Sequence, residues 1–210
     1  MVNIVEKYNK PFEYAGILMH LIIAFQFLKL WYQPNFDDAE KIYAMAVLMA
    51  FEFILMHSGV FMAVMPKKIS LYILVPIYGL FAWAFSQSMP DNSILIIYGF
   101  IILNRMRFAF SDVSSALKNK AILTSTLGAF SYFVLIFVCV FTNSIFGELG
   151  LTPSFLDASG YFNHTKASGA FIDKPHIAIG FGFFYYCALT LIEAVLLIVG
   201  PKKVKNATYA

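Results

Sequence analysis

The stretch "EFILMHSGVFMAVMPKK", residues 52–68, is an apolar run that stops at a proline and two lysines, yet it holds a glutamate and a histidine. A soluble core can hide either group at small cost, whereas hydrocarbon penalises both. Which of these hosts applies is decided by composition. Sixty per cent of the 210 residues are hydrophobic and 13% are charged, with a mean hydropathy of +0.73. Soluble domains run at about 45–50% apolar and about 25% charged. The chain belongs to the membrane class. Its formal net charge of +3 gives no case for nucleic acid.

Working outward from 52–68, a bilayer core of about 30 Å requires roughly 20 apolar residues per helix. Six spans meet this, near 12–32, 42–65, 69–88, 92–110, 121–145 and 176–200. "YQPNFDDAEK", "MPKK", "SQSMPDN", "SDVSSALKNK" and "GPKKVKN" punctuate them, and a long loop occupies 146–175. The runs are continuous rather than alternating, which excludes a β-barrel. The expected fold is therefore all-α, a polytopic membrane helix bundle forming one integral membrane domain over 1–210. No small-residue cleavage site follows the first run, so it is expected to stay as a span.

Lysine and arginine set the direction. Lys7, Lys10, Lys67, Lys68, Arg105, Arg107, Lys118, Lys120, Lys202, Lys203 and Lys205 fall on one side, eleven of the fifteen basic residues. Lys29, Lys41, Lys166 and Lys174 fall on the other, among Asp37, Asp38, Glu40, Asp91, Glu148, Asp157 and Asp173. The alternation holds at every loop. It places the N-terminus and C-terminus in the cytoplasm and 146–175 outside, in a cell (inner or plasma) membrane. Trp31, Tyr32, Tyr43 and Trp83 stand toward the outer ends of their spans, where amphipathic rings anchor at an interface.

The outer loop contains Thr152-Pro153, a helix start with proline at the first helical position. Its aromatics Phe155, Tyr161, Phe162 and Phe171 point to a segment that lies on the membrane or folds over the bundle. "NHT" at 163–165 fits an N-glycosylation sequon. Cys139 and Cys187 lie in apolar runs without a C-x-x-C partner, so they are expected to be buried thiols. Pro76 should kink or loosen the third span.

Ionisable residues at membrane depth are candidates for function, because insertion of a central charge costs about 2.5–3.5 kcal/mol. Glu52 shares a stripe with Met56, Gly59 and Ala63, and small residues four apart let helices approach closely. Glu13, Gly16, His20 and Ala24 share another, and Gly182, Tyr186, Thr190 and Glu193 a third. At about 1.5 Å per residue, His20, His57 and Glu193 lie at similar depth in the inner half, with Asn104 and Arg105 somewhat shallower. Glu52 and Glu193 are too short to snorkel and must be protonated or paired, with Arg105 or a histidine as partner. His20 and His57 as simple helix-bonding imidazoles, and Arg105 and Arg107 as snorkelling anchors, are the plainer alternatives.

Three functions fit these residues. The first is a small transporter or channel-like protein whose proton, ion or solute pathway runs along Glu52, Glu193, His20, His57, Asn104, Arg105, Tyr186 and Thr190. The second is an accessory or structural subunit of a membrane complex, or a homo-oligomer, with polar residues bonding helices together. The third is a haem b or metal protein using His20 and His57, although neither stands in a ligand-spaced motif. No G-x-S-x-G, H-E-x-x-H or phosphate-cradling glycine loop occurs, so an enzyme is not the expectation.

Overall fold

The structure, a computed structural model, describes residues 9–87, 95, 96, 99, 114–142, 146–166 and 168–199. Their regular structure is helical, with no strand among them. Helix α1 spans Asn9–Tyr32 and α2 spans Ala39–Val64, joined by a single 3-10 turn at Phe36–Asp38. The Asn35 N–H donates to Asp38 Oδ2 at 2.9 Å, which fixes that turn. A helical turn at Lys67–Ile69 runs into a π-helix at Ser70–Leu74 and then α3, Val75–Ser86. Helix α4 spans Ser115–Phe141, and α8 spans Pro175–Val199. Three short helices lie between these two: α5 (Pro153–Ala158), α6 (Tyr161–His164) and α7 (Ala170–Asp173).

Helix α1, the Ser115–Cys139 part of α4, and α8 are each long and apolar enough to cross a membrane. Large apolar side chains face outward along them, including Phe25, Phe130, Phe141, Leu191 and Ile198. Apolar surface of that kind on helices of spanning length marks contact with a membrane. The chain is an integral membrane protein. The fourth expected span, near 92–110, lies outside the described residues apart from 95, 96 and 99.

Helix α8 is the hub, packed along α1, α4 and α2, while α2 also packs on α4 and α3. In lipid such contacts gain little from hydrophobicity and depend on close fit. Gly182 provides it. A Cβ there would lie 2.6 Å from Phe27 Cδ1, so only glycine lets this fully buried ring sit against α8.

Several local expectations take definite form. Thr152 does cap a helix: its hydroxyl accepts from the Phe155 N–H at 3.2 Å, with Pro153 in the first turn. Pro76 loosens its helix one turn early. Without an N–H it cannot bond four residues back, and the Val75 N–H reaches five back to Ser70 O, the π pattern. Helix α4 begins at Ser115 rather than near 121, because Lys118 and Lys120 are good helix formers, with Lys118 exposed and Lys120 reaching across to Glu13 of α1. Cys139 is buried, while Cys187 is only partly so.

The segment after α4 folds over one end of the bundle. The Trp31 indole N–H donates to Gly147 O at 2.8 Å, and the Gly150 N–H donates back to Trp31 O at 3.0 Å. The Tyr43 hydroxyl accepts from the Lys166 N–H at 3.2 Å, and the Tyr161 hydroxyl donates to Ile172 O at 2.9 Å. Burial, with Tyr43 and Asp173 nearby, pushes the Tyr161 phenol above its ordinary range, so it remains a donor. Phe155 stacks on Phe36 and Phe171 meets Phe181. This corrects the interfacial role expected for Trp31 and Tyr43, which are 6% and 1% exposed and anchor the cap from inside. Tyr32 and Trp83 are exposed, as interface rings are.

Candidate functional site: a polar column between α1, α2 and α8

Away from the cap, α1 and α8 lie against each other along the two stripes read from the sequence. On α1 the stripe is Glu13, Gly16, His20 and Ala24; on α8 it is Gly182, Tyr186, Thr190 and Glu193. Three- and four-residue spacing stacks such residues on one helix face. The two faces meet. A Cβ at Gly16 would lie 3.2 Å from Glu193 Oε2, so the glycine makes room for the carboxylate. His20 Nδ1 stands 3.4 Å from the same oxygen. The pair is close enough to attract but is not aligned as an N–H···O bond. Both atoms are buried without a hydrogen-bond partner among the described residues.

Two turns earlier on α8, the Tyr186 ring lies against the His20 imidazole, with centroids 5.9 Å apart, and stacks on Phe27. Its hydroxyl donates to Glu52 Oε2 on α2 at 3.2 Å. Both residues are buried, with Glu52 only 6% exposed. Tyr132 of α4 donates its hydroxyl to Met49 O at 2.7 Å, one turn before Glu52 on α2. At the end opposite the cap, Lys120 of α4 donates to Glu13 Oε1 at 2.7 Å, and the Asn9 side chain donates to the same oxygen. The order along the bundle is therefore Lys120–Glu13, Glu193–His20, Tyr186, Glu52.

Of the eight residues singled out in the sequence, four converge: Glu52, Glu193, His20 and Tyr186. Thr190 is near them, but its hydroxyl donates to Tyr186 O at 2.9 Å within its own helix and is occupied there. The His57 side chain, Asn104 and Arg105 lie outside the described residues. The partner expected for the acids was Arg105 or a histidine. Glu193 has its histidine, whereas Glu52 has a phenol. Lys120 and Glu13 were not foreseen as a pair, because Lys120 reads as a flanking charge that fixes topology.

No three histidine, cysteine, aspartate or glutamate side chains gather as metal ligands among the described residues. Two grooves lie elsewhere, one along α1 and one between α2, α3 and the cap, and neither includes a member of the column. Compared with protein families, curated proteins and solved structures, this chain matches none. Its chemistry has to be read from its own residues.

Proposed function

We propose that this chain is a six-span membrane protein, with both termini cytoplasmic, that moves a proton, an ion or a small solute along the column Glu193–His20–Tyr186–Glu52. One observation supports this most directly. A single buried side chain, Tyr186, bonds one intramembrane acid and lies against the imidazole that faces the other. Interhelical hydrogen bonds in a membrane average about 0.6 kcal/mol, with a maximum near 1.7. A central charge costs about 2.5–3.5 kcal/mol. A glutamine at position 52 would accept the same bond from Tyr186 and would never ionise. Helix bonding alone therefore does not account for two acids at this depth.

Carboxylate, imidazole and phenol each take up and release protons, and the phenol both donates and accepts. The column is hydrogen-bonded from Tyr186 to Glu52, whereas His20 faces Glu193 unbonded and touches Tyr186 by its ring. Passage there requires a side-chain rotation that swings the imidazole from Glu193 toward the Tyr186 hydroxyl. Lys120 and Glu13 stand at the end where a solute would enter or leave.

The test is Glu52→Gln and Glu193→Gln, made singly and reconstituted in vesicles carrying an internal pH dye. Both variants should insert and keep the wild-type melting temperature, while proton or proton-coupled flux falls to that of empty vesicles. Wild-type flux in both variants sinks the proposal. An accessory role in a larger complex is the second reading, favoured by the exposed aromatic face of α4 at Phe130, Phe137 and Phe141. Its sign would be a stoichiometric partner retained on mild solubilisation and lost in Phe137→Ala.

A further inference from the structure

A groove of about 450 Å³ runs along the membrane-facing side of α1, lined by Leu21, Ile22, Phe25, Gln26, Lys29 and Lys41. Its composition is graded. Leu21, Ile22 and Phe25 are 48%, 51% and 67% exposed and form an apolar wall. Lys29, in the last turn of α1, and Lys41, in the first turns of α2, close the groove at the capped end. From Leu21 to Lys29 the wall climbs eight residues, about 12 Å at 1.5 Å per residue.

The charges are unusual for their surroundings. This end of the chain is acid-rich, and Lys29 and Lys41 are two of the four basic residues on that side of the sequence. Neither lysine has an ion-pair or hydrogen-bond partner among the described residues. The nearby acids do not line the groove, and Asp38 is held by the Asn35 N–H. Two helices thus bring like charges to the lining of one groove, with no acid at ion-pairing distance from either among the described residues. A lysine that merely anchors a span reaches the interface alone. Here the cations share the top of an apolar trough.

We infer that this groove is a binding site for an anionic phospholipid of the leaflet at the capped end. Its phosphate headgroup lies between Lys29 and Lys41, with Gln26 as a further polar contact, and an acyl chain lies along Phe25, Ile22 and Leu21. A lysine beside an anionic lipid surface contributes about a fivefold preference. This site is separate from the polar column and does not depend on transport.

The full chain, solubilised in mild detergent, is incubated with phosphatidylglycerol or phosphatidylcholine, and retained lipid is counted by native mass spectrometry. Wild type should hold phosphatidylglycerol in clear preference, with a raised melting temperature. Lys29→Gln and Lys41→Gln should each lower that preference about fivefold, and the double variant should remove it. Lys174→Gln, away from the groove, should leave it intact. Equal retention of both lipids by wild type, or unchanged preference in the double variant, overturns the site. Stabilisation by soluble glycerol phosphate as large as by the lipid overturns it as well, since a bare anion would then suffice. The variants' melting temperature in phosphatidylcholine alone reports folding independently.

Discussion

The capped end and the polar column handle buried polar groups in opposite ways. At the cap, Trp31, Tyr43 and Tyr161 each have one polar atom, and each is bonded to a backbone group in the folded-over segment. In the column the groups are acids, an imidazole and a phenol, bonded side chain to side chain or left facing each other unbonded. Neutral groups tied to backbone specify one arrangement. Ionisable groups facing one another permit several, because each proton added or removed changes which contact is favourable. The contrast separates a region built for stability from one suited to chemistry, and it predicts different consequences for substitutions in each.

The largest effect is expected at Gly150. A Cβ there would lie 2.8 Å from Tyr32 O and overlap the Pro34 ring, both held in a short turn that cannot give way. Gly150→Ala should destabilise by about 3 kcal/mol, at the upper end of overpacking, and free the 146–174 segment to protease. A melting curve in detergent with a timed digestion reads both. Retained flux in this variant sharpens the contrast; loss of flux with an intact column would break it. Trp31→Phe is milder. It keeps a ring but removes the indole N–H, leaving Gly147 O without that donor, at a cost of about 1–2 kcal/mol. The same digestion should show faster cleavage, with flux unchanged.

Much of this contrast was present in the sequence, and the part that was not has a physical reason. The two column stripes follow from helical spacing alone, and Thr152-Pro153 started a helix as read. Tyr186 was on its stripe as well. That its hydroxyl would reach Glu52, 134 residues away, was not legible, because spacing fixes faces and not which faces meet. The inward turn of Trp31 and Tyr43 was hidden for another reason. An aromatic that anchors at an interface and one that anchors a cap occupy the same place on a span, and only the fate of the following loop distinguishes them. Lys120 was ambiguous in the same way, since a lysine at a span's end fixes topology whether or not Glu13 lies opposite.

Within the column, effects should fall on function with little change in stability. Tyr186→Phe removes the donation to Glu52 but keeps the ring packed on Phe27 and His20. Its cost should be about 0.6 kcal/mol and no more than about 1.7, while flux drops as in Glu52→Gln. A large loss of stability with normal flux would make Tyr186 another cap-like anchor, and the distinction between the two regions would fail.

The smallest effect concerns the Lys120–Glu13 pair at the far end. Its side chains are about one-fifth exposed, and a glutamine at 13 keeps an oxygen that accepts from both Lys120 and Asn9. Glu13→Gln should therefore shift the melting temperature barely at all. Its consequence for flux depends on where the pair stands. Lys120 on α4 reaches Glu13 on α1, one helical turn from Gly16, whose missing side chain seats Glu193. A bond joining two helices at that level holds them together beside the column's first acid. Losing it should ease exchange between Glu193 and the surrounding solution, raising flux or lowering its dependence on external pH. The charge swap Glu13→Lys with Lys120→Glu restores the attraction and should restore the wild-type profile. Flux that responds to neither change would place this pair with the cap, as a fastening that the chemistry does not use.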